Sequence, residues 1–330
     1  MAASYPFHRD AYKLDVKRVQ RIVASLDLKI VSDPGGPAPG QGGRHGKRRK
    51  QLRKLRLGKA PARVTVILAP WELHSELNSL TDYFSEQCRV QCRFLGHPSP
   101  LEHWKRREEM KAARPTSKPP AAMSNDELRE ILYRTTRMCN NFRVTVAITV
   151  LRMFGARRWL DISAGWGDRL LSALLVDSVE FYCGVDPNPC LHPAYRDMID
   201  AFVGARRRSR YVLIEGGFET AVLPAGRTYD LVFSSPPFFD RETYSDAPGD
   251  SMVAHPGGER RWFDGFLMPS LVKARAALEP GGHMVLYMAE ARGTDYMGRM
   301  RAALSAMMHD CGSLYYKDHD TVREFLVWRK

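Results

Sequence analysis

The run Ser234-Ser235-Pro236-Pro237-Phe238-Phe239-Asp240 holds the residues whose types and order are best suited to chemistry. Two successive prolines fix φ and have no N–H to donate, so the carbonyls beside them face something other than a strand ladder. Ser235 then offers a side-chain oxygen and Pro236 a main-chain carbonyl, two neighbouring acceptors. Two acceptors facing one amino group suit a planar exocyclic amine. They hold both hydrogens, draw the nitrogen toward tetrahedral geometry and localise its lone pair for attack on an electrophilic methyl. Phe238 follows with an aromatic face on which a flipped base would stack. A Pro-Pro-aromatic run is also an ordinary rigid turn, so its meaning depends on what stands upstream.

Upstream lies Asp161-Ile-Ser-Ala-Gly-Trp-Gly-Asp168, read as the end of a strand, a tight turn and the start of a helix. Gly165 and Gly167 let the backbone turn sharply and approach a ligand, and a helix N-terminus directs amide groups at it. Any tight strand-to-helix turn needs glycine, so the loop alone says little. Asp186 sharpens it, standing 19 residues after Gly167 at the end of the next predicted strand. An acid there is placed to accept from both ribose hydroxyls of an adenosine-containing cofactor. The third glycine of a dinucleotide fingerprint is missing, since Leu170 takes its place, which disfavours a pyrophosphate cofactor. The candidate cofactor residues are therefore Asp161, Ser163, Ala164, Gly165, Trp166, Gly167, Asp168, Asp186 and Pro187. Phe218 and Glu219, after a third strand, offer an adenine face and an acceptor for an amino group. They read equally well as a core aromatic beside a helix-start acid.

DISAGWGDRL, GVDPN and SSPPFF, in that order, resemble a class I S-adenosylmethionine-dependent methyltransferase over roughly residues 138–330. More narrowly they are similar to the amino-methyltransferases of nucleic acids, which act on N4 of cytosine or N6 of adenine. The resemblance implies S-adenosylmethionine as cofactor, a base amine in DNA or RNA as acceptor, and Ser235, Pro236, Pro237 and Phe238 as the catalytic tetrad. Serine in the first tetrad position tilts the expectation toward N4-cytosine. CNNFRVT (139–145) is the counterpart of a family element that packs on the cofactor's methionine part, which makes Asn141 and Phe142 candidates. Enzymes with this motif order usually carry a target-recognition domain after the catalytic one, and here the sequence ends at Lys330. Recognition is then expected from residues 1–137 or from the polar, Gly/Pro-rich insertion 239–261, which suits a substrate lid. Phe239, Asp240 and Tyr244 at its start are candidate substrate contacts. Two further readings stand beside this one: methylation of a protein glutamine amide, and an inactive nucleic-acid-binding module on the same fold.

These residues need a frame. From residue 157 the chain alternates predicted strands (159–163, 181–186, 211–215, 231–234, 283–288) with helices (168–176, 193–203, 262–278). Such alternation means a mostly parallel twisted sheet covered on both faces, an α/β Rossmann-like fold. Strands at 313–317 and 322–329 read as an antiparallel hairpin at the sheet edge. Further upstream, helices are expected within 10–31, 71–92 and 142–154, a strand at 64–68, and a helix capped by Ser124 with Glu127. The segment SDPGGPAPGQGG (32–43) reads as a flexible linker. The expected division is a basic N-terminal arm (1–60), an accessory α+β recognition region (61–137) and the methyltransferase domain (138–330).

Charge supports a polyanionic partner. The net charge is +13 over 330 residues, and residues 1–125 carry all of it, with 24 Lys and Arg against 11 Asp and Glu. Residues 44–59 pack nine Lys and Arg with no acid, and Lys47, Arg48, Arg49 and Lys50 are the candidate phosphate contacts. Such a block binds phosphates through counterion release, and serves equally as a solvated tail or a nuclear-import signal. No apolar run approaches 18 residues and the N-terminus lacks an apolar leader core, so an intracellular protein, cytoplasmic or nuclear, is expected. Six sparse cysteines form no zinc pattern, so no metal is expected and all six are read as reduced thiols.

Overall fold

The computed structural model describes residues 5–26, 30–33, 65–68, 75–106, 123–244, 257–291, 293–318 and 321–330. Its centre is a sheet of nine strands: β1 (Ile30–Asp33), β2 (Thr65–Leu68), β4 (Arg158–Asp161), β5 (Phe181–Asp186), β6 (Tyr211–Glu215), β7 (Tyr229–Ser234), β9 (Leu278–Tyr287), β10 (His309–Asp318) and β11 (Thr321–Arg329). A separate ladder pairs β3 (Arg93–Phe94) with β8 (Glu242–Thr243). The order in the large sheet is β1-β2-β10-β11-β9-β7-β4-β5-β6. Strands β6, β5, β4, β7 and β9 run parallel, and β11 runs antiparallel to both β9 and β10. The chain winds outward one way through β4, β5 and β6, then returns to the other side of β4 for β7 and β9. Between β4 and β7 lies the switch point where open α/β sheets bind ligands. The Rossmann-like expectation holds.

Period-two alternation builds the core. Along β5, Tyr182 packs into one hydrophobic layer while Phe181, Cys183 and Val185 pack into the other. Helices Val144–Phe154, Asp168–Leu175 and Leu191–Phe202 cover the first face. The second is covered by Met268–Ala277, by Tyr296–Ser305, and by the segment Glu259–Trp262 that runs into a π-helical turn at Phe263–Leu267.

Several expectations are corrected. The C-terminal hairpin is not at the edge: β11 is wedged between β9 and β10, and β2 and β1 extend the sheet beyond β10. Helix 10–31 shortens to Val16–Ser25, capped by Asp15, whose carboxylate accepts from Arg18 N at 2.9 Å, and residues 30–33 form a strand instead. The helix expected over 71–92 divides into Ser75–Ser79 and Asp82–Arg89. Helix Asn125–Thr135 begins with the expected capping box between Ser124 and Glu127.

The thiol expectation fails at four cysteines. Cys88 pairs with Cys190 and Cys92 with Cys139, while Cys183 and Cys311 are free. Partners 102 and 47 residues apart leave no local spacing signal. Disulfides persist mainly in oxidising compartments, so these pairs pull against the intracellular expectation. Both tie the helix Asp82–Arg89 and the turn after it to the Rossmann-like part. A buried polar cluster reinforces them: Arg89 Nε and Nη2 donate to both oxygens of Asp82 at 2.8 and 2.7 Å, and Arg89 Nη1 donates to the Cys139 carbonyl at 3.2 Å. The N-terminal helix joins the same body, with Val19 and Val23 buried in one core with Leu151.

Candidate active site

One cleft of about 810 Å³ opens at the C-terminal edge of the parallel strands. It is lined by Ser163, Ala164, Gly165, Trp166 and Asp168 from the glycine loop, by Asp186 and Pro187 after β5, and by Phe218 and Glu219 after β6. Ser235, Pro237 and Phe238 line it after β7, and Asn141, Phe142 and Tyr244 line it as well. Sequence positions more than 90 residues apart thus meet in one space.

The loop geometry explains both glycines, and differently. Gly165 has φ 59° and Gly167 φ 96°, both in the left-handed region where a side chain is disfavoured. A Cβ on Gly167 would also sit 2.7 Å from Met198 Cε, so that glycine serves close packing of the helix Leu191–Phe202 and does not line the cleft. Gly165 N donates to Asp186 Oδ2 at 2.8 Å, and Asn188 N donates to Oδ1 at 3.0 Å. Each oxygen of Asp186 is thus oriented by one main-chain amide and keeps a lone pair for a second donor. Burial pushes this carboxyl up to about 7 against the pull of those two amides. Asp168 is likewise pushed up to about 7 by burial, and its Oδ2 accepts from Phe142 N at 3.1 Å.

Asp161 is different from the expected ligand contact. It is fully buried and does not line the cleft. Its Oδ2 accepts from Arg169 Nε at 2.8 Å and from Tyr182 OH at 2.9 Å, and its Oδ1 accepts from Ser234 Oγ at 2.7 Å. One carboxylate therefore ties β4, β5, β7 and the helix Asp168–Leu175 together directly beneath the loop. Arg169, itself buried, also donates to the Ser163 carbonyl and lies 5.2 Å from the Phe142 ring centre.

At the reacting edge, Ser235 is half-buried and Pro236 is buried behind the cleft wall. Phe238 meets Tyr287 edge-on at 5.5 Å. Phe239 turns away against Trp262 at 5.8 Å, and Asp240 is exposed; neither lines the cleft. Phe218 is 1% exposed with the Lys273 ammonium 4.9 Å from its ring centre, so most of it is core. Tyr244 OH donates to Glu242 Oε2 at 2.6 Å, and its ring meets Trp166 edge-on at 5.6 Å. Lys47, Arg48, Arg49 and Lys50 lie outside the described residues, as does much of the insertion 239–261.

The cleft also takes residues that the motifs do not announce. Tyr287, Tyr316 and Arg323 come from β9, β10 and β11, and Phe94 comes from β3 through its pairing with β8. The wedged strand order brings Tyr316 and Arg323 there, and the ladder brings Phe94. Among the described residues, no group of three or more His, Cys, Asp or Glu is placed to hold a metal ion, and no helix is long and apolar enough to cross a membrane.

No protein-family model and no curated protein matches this sequence. Among solved structures, TrmN from Thermus thermophilus is 18% identical with a TM-score of 0.42, over 57% of this chain and 49% of that one. A methyltransferase from Pyrococcus furiosus is 17% identical with a TM-score of 0.39, over 57% and 83%. CalS10, an amino pentose methyltransferase from Micromonospora echinaspora, is 15% identical with a TM-score of 0.39, over 61% and 96%. The match spans about half the length of the Thermus protein, and no substrate is carried over from any of the three.

Proposed function

We propose that this chain is an S-adenosylmethionine-dependent methyltransferase acting on the exocyclic amine of a base in nucleic acid, with DNA ahead of RNA and N4-cytosine slightly ahead of N6-adenine. The observation that carries the reading is the gathering of the Gly165 loop, Asp186 and three tetrad residues, Ser235, Pro237 and Phe238, around one cleft at the sheet's switch point. The residues fit the cofactor. Asp186 has two oriented oxygens for a ribose diol, and Asn141 and Phe142 flank the loop where the methionine part would lie. The cofactor supplies a methyl on a sulfonium, electrophilic and with a neutral thioether as leaving group. Ser235 Oγ and the Pro236 carbonyl accept from the two N–H groups of the amine, Phe238 holds the base plane, and the nitrogen lone pair is left directed at the methyl. The chain's own part would be to hold the amine while the cofactor gave up its methyl and left as a neutral thioether, the surplus proton on nitrogen passing to solvent water.

The decisive experiment supplies cofactor labelled in the methyl group together with DNA, RNA and protein from an untreated host, followed by digestion and mass spectrometry. Label in N4-methylcytosine or N6-methyladenine supports the reading. Label confined to glutamine, or in none of the three, sinks it.

Cofactor affinity is expected to depend on pH with a definite sign. Burial pushes the Asp186 carboxyl up to about 7, and its ionised form would accept from both ribose hydroxyls where the protonated form would lose one acceptor. Affinity should therefore rise as pH climbs through about 7 and level off above it, with a proton released on binding below that point. Calorimetry of Asp186→Asn should show binding weakened about tenfold or more at high pH, from the loss of charge-assisted bonds. The pH response should shrink to the share left by Asp168. An unchanged profile in that variant would remove the ribose assignment.

The basic block 44–59 is proposed as the phosphate grip, with residues 61–137 contributing recognition. Deleting 44–59 spares Val19 and Val23, which a cut at residue 60 would strip from the core. The slope of log K against log salt for duplex DNA should flatten by about 0.9 for each phosphate no longer neutralised. Equal slopes would leave the block as a localisation signal or inert tail.

A further inference from the structure

Two non-glycine residues in the described chain have φ in the left-handed region, Leu95 at 51° and Phe239 at 52°. A side chain held there costs on the order of 1–3 kcal/mol and persists only where its surroundings over-determine it. The two lie close to each other in the fold. Each directly follows a phenylalanine that lines the cleft, Phe94 in one case and Phe238 in the other. Leu95 N donates to the Arg241 carbonyl at 2.8 Å, and Arg241 N donates to the Phe238 carbonyl at 3.2 Å. On the other side of the turn, His97 N donates to the Phe94 carbonyl at 3.0 Å. The β3–β8 ladder adds the register Phe94 opposite Glu242 and Arg93 opposite Thr243. The backbones carrying the two rings are thus linked to each other by main-chain hydrogen bonds.

The rings themselves arrive from opposite sides. Phe94 packs at the margin of the core on one face of the sheet and Phe238 at the margin of the core on the other. Both are half-buried, so each presents part of its surface to the cleft. Leu95, beside Phe94, is 46% exposed, an unusual position for a large apolar residue, and it lies next to the cleft wall.

We propose that Phe94 and Phe238 form an aromatic clamp, with Phe94 the second face against which the planar amine-bearing group is held. The inference rests on the proposed function above and adds a substrate-binding residue outside the methyltransferase motifs. It also narrows the acceptor, because a flat heteroaromatic amine fills a two-faced slot and a flexible side-chain amide does not. Arg241, which lines the cleft between the two clamp backbones, is placed to meet a phosphate beside the clamped base.

The test uses the full chain and single-stranded DNA and RNA oligonucleotides carrying 2-aminopurine, whose fluorescence is quenched by stacking. Phe94→Ala should weaken oligonucleotide binding about five- to hundredfold, the loss of one base stack. The fall in kcat/KM should lie in KM, with cofactor affinity retained. Phe94→Tyr, which keeps the ring, should restore both quenching and affinity. Phe94→Leu keeps the apolar bulk without a π face and should not restore them. Wild-type binding in Phe94→Ala, or full rescue by Phe94→Leu, overturns the clamp. Phe238→Ala separates this from a failure of the proposed function. If the wild type methylates nucleic acid and only Phe238→Ala loses binding, the clamp is wrong and the function stands. If the wild type neither binds nor methylates an oligonucleotide, both fall.

Discussion

Ser235→Ala is expected to reduce kcat for methyl transfer about 10²- to 10³-fold while leaving the Kd for the cofactor unchanged. In the proposed mechanism the serine oxygen is assigned to the amine and not to the cofactor. It acts on the amine, and its value grows as the nitrogen moves from planar toward tetrahedral and its hydrogens become more acidic. An interaction made more strongly in the transition state than in the ground state appears in kcat. Removing one pre-placed hydrogen-bonding group of this kind from a water-poor site costs roughly that factor. The Pro236 carbonyl remains as the second acceptor, so activity should be reduced and not abolished. Stopped assays with saturating cofactor, beside calorimetry for binding, separate the two quantities. A fully active Ser235→Ala would make the tetrad a rigid turn.

Asp161→Ala should cost about 3–5 kcal/mol of folding stability, the loss expected when one partner of a buried ion pair is removed. Arg169 would stay buried with its charge uncompensated, and the hydroxyls of Tyr182 and Ser234 would each lose an acceptor. The glycine loop would lose its footing at the same moment, because Arg169 also holds the Ser163 carbonyl. Denaturant unfolding of wild type and Asp161→Ala reads the loss directly. Pairing Asp161→Leu with Arg169→Met should recover part of the stability, since neither charge then remains unpaired. Should Asp161→Ala keep wild-type stability and lose only cofactor affinity, the residue would be a ligand contact after all.

Local features of the sequence carried the Rossmann-like half of the fold. The strand–glycine–helix alternation, the Gly165 and Gly167 turn, the acid at Asp186 and the Ser235-Pro236-Pro237-Phe238 run are each written within a few residues, and their parts come together in space. The remainder depends on pairings between distant segments. Cys88 and Cys92 are spaced four apart, like neighbours on one helix face, and nothing near them points to Cys190 and Cys139. Asp161 reads as a ligand contact because it ends a strand beside a glycine loop. Its real partners, Arg169, Tyr182 and Ser234, arrive from three other elements. Phe94 is one aromatic among many until the β3–β8 ladder brings it to the cleft. The hairpin 309–329 shows its turn plainly, while its place inside the sheet depends on where β2 pairs, at the far end of the chain.

The two disulfides are nested, with the loop closed by Cys92 and Cys139 lying wholly within the loop closed by Cys88 and Cys190. That arrangement separates chain continuity from molecular integrity. Protease cleavage anywhere between Arg93 and Met138 would divide the backbone into two pieces, yet both crossings would still bind one piece to the other. Such a nicked protein would migrate at full mass on a non-reducing gel and split only when a thiol reductant is added. The stretch that carries Phe94 to the cleft is therefore fastened from both sides of any such cut, by covalent bonds behind it and by the β3–β8 ladder ahead of it.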